Sequence, residues 1–199
     1  MRVHSEERTA MTLPVNSSVQ TAEATLERFA LATERETQAV EFFHQSAGSW
    51  QSRRRYYTLK SGATEEVISD ITIRFLEGGD AELVELAARH ALADPMICGA
   101  KVTWDSQYIS PSRKPSKGST VFGIRGDVMY RDRGFATPKP VTANFRFTDS
   151  RTMILRTEYG GSAFEEELKL VGDNYRTRQT IISRAGEEIM IGQYLEKRV

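Results

Sequence analysis

The sequence predicts a mainly β protein: an up-and-down antiparallel barrel of about ten strands, with one N-terminal helix and a second helix inserted after the second strand. Three observations carry this. Beyond Trp50 the apolar period becomes two, clearest in Val67, Ser69, Ile71, Ile73 and Phe75 against Glu66, Asp70, Thr72 and Arg74. Further short runs follow at 97–106, 118–125, 127–133, 141–148, 152–159, 162–171, 175–183 and 187–197, divided by Gly, Asp, Asn and Pro. The links are too short for crossovers, so neighbours pair antiparallel, and ten strands in 199 residues must split into two sheets or close. Closure is the expectation, because it leaves no strand edge unpaired.

In chain order, residues 1–20 are polar and patternless and are expected to form a poorly ordered extension, with Met11 as a second candidate start. Residues 21–199 are then one barrel domain. From Thr21 to Gln45 helical spacing appears in Leu26, Phe29 and Ala30 and again in Val40, Phe43 and His44. The inserted helix spans about Asp80 to Leu92, with Asp80 as N-cap, an apolar stripe of Leu83, Val84, Leu86, Ala87, His90 and Ala91, and a stop at Asp94-Pro95. Ser110 to Lys117 reads as a basic surface loop. Gly123, Gly126, Gly160 and Gly161 read as turns or bends.

Composition excludes several function classes. Lys and Arg (27) balance Asp and Glu (27), which leaves no global field for nucleic acid or an anionic membrane. No run approaches the ~20 apolar residues of a membrane span, and no secretion signal opens the chain. A cytoplasmic protein is expected. The single cysteine, Cys98, rules out an internal disulfide and fits a buried hydrophobe in a reducing compartment. His4, His44 and His90 lack zinc spacing, there is no nucleophile elbow, and no glycine motif cradles phosphate, so neither a metal site nor hydrolase chemistry is expected.

The most informative stretch is Glu165 to Ile182. With Gly172-Asp173-Asn174 as a three-residue loop and Asn174 left-handed, Leu170 pairs with Arg176, Leu168 with Arg178 and Glu166 with Thr180. The other face holds Glu165, Glu167, Lys169, Tyr175, Thr177 and Gln179 and suits solvent. Glu166, Arg176 and Arg178 therefore point inward with Leu168, Leu170 and Ile182. Buried charges need one another, water or a ligand, and a barrel of this size can hold one small molecule. Two arginines suit a carboxylated ligand, and a carboxylate among them suits an N–H donor or a cation. An ion-pair network at the rim is the alternative. In the first strand, alternation puts Arg54 on the face opposite Arg53 and Arg55, and Trp104 is either a core residue or a stacking platform.

The run Ala39-Val40-Glu41-Phe42-Phe43-His44-Gln45-Ser46-Ala47-Gly48-Ser49-Trp50-Gln51-Ser52-Arg53-Arg54 resembles the opening of the S-type phycobiliprotein chromophore lyases, a family with a lipocalin-like barrel. Leu76-Glu77, Gly99-Ala100-Lys101-Val102-Thr103-Trp104, Arg133-Gly134-Phe135-Ala136 and the stretch from Glu165 to Arg178 match further family segments in order, over about residues 37–198. The resemblance implies a barrel that binds an open-chain tetrapyrrole, phycocyanobilin or phycoerythrobilin, as substrate and joins it by a thioether to a cysteine of an apo-phycobiliprotein. No permanently bound cofactor is implied. Glu166 and Arg176 fall on the family's essential carboxylate and arginine, and Arg54, Tyr57, Trp104, Arg178 and Thr180 become candidate ligand contacts. Tyr56, Tyr57 and Thr58 stand where the family usually has histidines, and Glu167 replaces an arginine. These departures leave a non-catalytic partner subunit or a bilin carrier as the alternative. A homodimer, or a heterodimer with a related lyase subunit, is also implied.

Overall fold

A computed structural model describes residues 17–110 and 113–199, with side chains from Ala30 onward and at Glu27. The chain divides after Leu31, and Ala32–Val199 form the larger unit. Helix α1 (Ser17–Ser46) leads into ten strands: β1 (Gly48–Thr58), β2 (Ala63–Glu77), β3 (Cys98–Tyr108), β4 (Ser116–Arg125), β5 (Val128–Arg131), β6 (Val141–Asp149), β7 (Thr152–Tyr159), β8 (Ser162–Val171), β9 (Tyr175–Arg184) and β10 (Glu187–Arg198). Each strand pairs antiparallel with its neighbours in sequence, and β10 returns to β1, closing the barrel. Helix α2 (Ala81–Arg89) lies between β2 and β3. Among the described residues no helix is long and apolar enough to cross a membrane.

Several local expectations change. α1 begins before Thr21, so residues 17–20 of the expected extension are helical, while 1–16, and the side chains of Leu26 and Phe29, lie outside the described residues. α2 ends at Arg89, where His90 caps and Ala91 takes φ 52°. Asp80 occupies the N-cap position, but its carboxylate accepts the Glu77 N–H at 3.2 Å instead of capping the helix. The buried stripe is Leu83 and Leu86, and Val84 faces out because its place on the 3.6-residue period falls off that stripe. In the β8–β9 loop, Gly172 at φ 59° takes the left-handed position expected of Asn174, since glycine has no Cβ to clash there. Gly123 is not a bend. It sits mid-strand in β4, where a Cβ would meet the Met96 sulfur at 2.0 Å.

The end of α1 stoppers the barrel. Ala39, Phe42 and Phe43 pack with Trp50, Ile71, Ile73, Met153 and Leu170 in one apolar cluster, and burying each of its Phe, Ile, Leu and Met side chains is worth about 1.5–3 kcal/mol. The Trp50 indole donates to the Ser46 carbonyl at 2.9 Å. Arg198, at the end of β10, donates to the Gln45 and Ala47 carbonyls at 2.6 and 2.5 Å and stacks over Trp50. A cation thus satisfies carbonyls that the helix end leaves open. A second cluster, Leu76, Leu83, Leu86 and Met96, fixes α2 outside the sheet.

Candidate functional site

Inside the barrel lies a cavity of about 290 Å³, bounded by Phe42 and Phe43 at one end and by Arg133 and Phe135 at the other. Its polarity follows from strand register. Three inward layers cross β8, β9, β10 and β1: Glu166–Thr180–Gly192–Tyr56, then Leu168–Arg178–Tyr194–Arg54, then Leu170–Arg176–Glu196–Ser52. The third layer continues into Ser69 and Ser106. Strands β2 to β7 supply mostly apolar wall, including Ile71, Val102, Phe122, Met153 and Leu155. Polar groups on one arc and apolar surface on the other suit a flat amphipathic ligand.

The polar arc holds two separate charge clusters. Glu166, almost fully buried, accepts from Arg131 at 3.2 Å through one oxygen and from Arg178 through the other. Arg131 lies between the rings of Phe122 and Phe135, at 5.0 and 4.6 Å from their centroids. Burial depresses the Arg131 guanidinium, Glu166 partly offsets this, and the like charge of Arg178 adds to it. Burial works against Arg178 too, yet Glu166 and then Tyr194 and Glu196 hold it above the ordinary arginine range. In the second cluster Arg176 donates through Nε to the buried Glu196 and lies 5.2 Å over Trp50.

The expected inward trio is therefore brought to one wall, but not into one contact. Thr180 and Arg176 are four residues apart on β9, roughly 13 Å along the strand, and Glu196 rather than Glu166 partners Arg176. Arg54 faces in and donates to Ser69 and, at 2.7 Å, to Ser106. Trp104 lines the cavity, and Gly118 leaves room for its ring, since a Cβ there would lie 2.5 Å from the indole. Thr180 also lines it. Tyr57 is a correction: as the third residue after Arg54 it falls on the outer face with Arg55, and Tyr56 takes the cavity position. The Tyr56 hydroxyl accepts from Tyr194 at 3.3 Å, and Gly192 admits both rings. Burial pushes the Tyr194 hydroxyl up, against the lowering effect of Arg178.

Arg131, Arg133, Tyr194 and Glu196 were missed by sequence reasoning. Period two could have found Arg131 beside Met129, but in β10 the apolar residues Ile191 and Leu195 alternate on the outside and mask the inward Tyr194 and Glu196. With these included, five arginines and two glutamates line the cavity, an excess of three positive charges. The Nε atoms of Arg54, Arg131 and Arg178 and the Thr180 hydroxyl are buried without a protein partner among the described residues. No cluster of His, Cys, Asp and Glu among the described residues is arranged to hold a metal.

Comparison with known proteins agrees with the fold. Residues 38–199 match the family described as CpeS-like protein. A Nostoc protein named "Putative phycocyanobilin lyase CpcS 2" is 61% identical over 166 residues, covering 82% of this chain and 92% of its own length. A Trichodesmium erythraeum protein named "Chromophore lyase CpcS/CpeS 2" is 35% identical, covering 74% and 80%. The structure of the S-type phycobiliprotein lyase CpeS from Guillardia theta superposes with a TM-score of 0.67 at 24% identity, over 80% of this chain and 91% of that one, and shows the same fold. With a family match across most of its length and a relative of this identity, the chain belongs to the CpeS-like protein family.

Proposed function

We propose that the chain is a phycobiliprotein chromophore lyase, which binds an open-chain tetrapyrrole in the barrel and attaches it by a thioether to a cysteine of an apo-phycobiliprotein. The observation that carries this is the excess of three positive charges over two buried carboxylates along one arc of a cavity whose other wall is mostly apolar. A bilin has two propionates for the arginines and a row of pyrrole N–H groups for Glu166. Phycocyanobilin is the favoured substrate, on the name of the 61% identical relative.

In this reading Arg54 and Arg178 hold propionates, Trp104 stacks on a pyrrole ring, and Thr180 donates to a ligand oxygen. Glu166 accepts N–H bonds and favours the protonated chromophore, which makes the ring A double bond more electrophilic. The acceptor sulfur then bonds to the exocyclic carbon, the double bond opens, and the thiol proton ends on the adjoining ring carbon, so no oxidant or reductant is consumed. Arg176, mapped by resemblance as essential, acts from the Trp50 end with Glu196 as counter-ion. We expect the activity in the cytoplasm, from a homodimer or a heterodimer with a related subunit.

The alternative, a non-catalytic subunit or bilin carrier, was motivated by Tyr57 and Glu167. Neither lines the cavity, whereas Tyr56, which also stands where the family usually has a histidine, does. Mixing the purified chain with phycocyanobilin should give a shifted, sharpened visible band, and adding apo-phycobiliprotein should give a product that keeps its colour in denaturing gels. Binding without transfer would favour the carrier, and no spectral change with either bilin would remove both readings.

A further inference from the structure

The end of the barrel opposite α1 has an unusual rim. Five connections surround it, with described residues 59–62, 109–110 and 113–115, 132–140, 160–161 and 185–186. Such hairpin tips are ordinarily polar, yet three carry an exposed large apolar side chain, Leu59, Ile109 and Phe135. Ile189, the bulged residue just after the fifth tip, is a fourth. The Leu59 N–H donates to the Ile189 carbonyl at 3.1 Å and the Ile109 N–H to the Glu66 carbonyl at 3.0 Å, so Ile189, Leu59 and Ile109 follow one another around the rim. Phe135 stacks on the buried Phe164 of β8.

Basic groups are set among these apolar ones. Arg113 and Lys117 are ion-paired with Glu65 and Asp105, whereas the exposed Lys60, Lys114, Arg133 and Lys139 make no ion pair among the described residues. On the side bearing Lys114, Arg133 and Lys139, Asp132 is engaged by the Thr120 hydroxyl and the Val121 N–H. Exposed acids, Glu187 and Glu188, occur on the β9–β10 side, next to Arg184. The whole chain has formal net charge zero, so this basic arc is a local arrangement. The other end of the cavity is shut by Phe42, Phe43 and Trp50, which leaves the rim as the way in for a macromolecular nucleophile.

Resting on the function proposed above, we propose that this rim is the docking surface for the acceptor protein, which presents its cysteine from a surface carrying acidic and apolar side chains. The basic arc steers the encounter, the four apolar residues hold it, and continuity with the cavity brings the thiol to the bilin.

The test compares the full chain with Lys114→Glu/Lys139→Glu and with Ile109→Ser, none of which lines the cavity. Phycocyanobilin titration should change by less than about twofold in both, since the cavity is untouched. Association with recombinant apo-phycobiliprotein subunits should slow about tenfold in the double variant and lose most of its salt dependence. Ile109→Ser should dissociate faster from the same subunits. Normal acceptor binding and transfer by both variants would overturn the docking surface alone. So would variants that change only the self-association of the chain, which would make the rim a contact between copies. A wild-type chain that takes up no bilin would instead defeat the functional reading, and the docking proposal with it.

Discussion

At the residue scale, the inward charges behave as two units that should respond differently to mutation. Arg176 and Glu196 neutralise one another in burial, and removing one partner of a buried pair costs about 3–5 kcal/mol. Glu196→Ala is therefore expected to destabilise by about that much in urea unfolding, with Arg176→Ala plus Glu196→Ala less destabilised than the single losses summed. Glu166 has two guanidinium partners, so Arg131→Ala leaves Arg178 in place, and a cost of about 3 kcal/mol is expected. For Glu166→Gln, transfer should fall about 100-fold or more at saturating bilin, beyond what its loss of stability explains, measured below the variant's melting range. Cys98 gives a separate pH test. Burial pushes its thiol up from 9.0 to about 12, so the unfolded chain releases this proton first as pH rises. Its contribution is fully present below pH 9 and lost between 9 and about 12, at up to about 1.4 kcal/mol per unit. Cys98→Ala should show a flatter stability profile than wild type across that window.

At the element scale, the sequence resolved most of the barrel. β7 and β8 begin and end as expected, and Leu170–Arg176, Leu168–Arg178 and Glu166–Thr180 pair as the alternation implied. Strict period two in half-buried strands leaves one register that hides the apolar set. Helix ends were less legible, because they depend on backbone partners: Asp80 looks like a cap, but the nearby Glu77 N–H claims its carboxylate. Close packing was not legible at all. Gly99 looked like any strand glycine, yet a Cβ there would sit 2.1 Å from the Phe122 carbonyl oxygen and 2.6 Å from a Leu83 methyl. Gly99→Ala should displace α2 or part β3 from β4, at a cost of about 1–3 kcal/mol read from thermal unfolding. Phe42→Ala, which opens the stopper formed by α1, should cost about 3–5 kcal/mol.

At the scale of the whole molecule, the barrel keeps a charged cavity open by closing its backbone hydrogen bonds around it. The neutral net charge of the chain conceals this, since the positive excess inside is balanced by acids elsewhere. A bilin that binds only the folded barrel should stabilise it by about 2.7 kcal/mol at 100 times its Kd, raising Tm by about 5 °C or more. Absence of any rise with phycocyanobilin at such concentrations would mean that the cavity is not its site.

The sequence by itself determined the architecture and the inward face, because alternation, turn residues and the cost of burying apolar surface are local in the chain. It also singled out Glu166, Arg176 and Arg178 as charges on the wrong side of a sheet. Only the tertiary structure decided which charge meets which: Arg131 from β5 reaches Glu166 on β8, and Glu196 from β10 takes Arg176 from β9. The first pairing rests on the curvature of the barrel, which brings β5 and β8 face to face across an interior that no spacing along the chain encodes, and the second on the β9–β10 register, which a bulge between Glu188 and Met190 shifts.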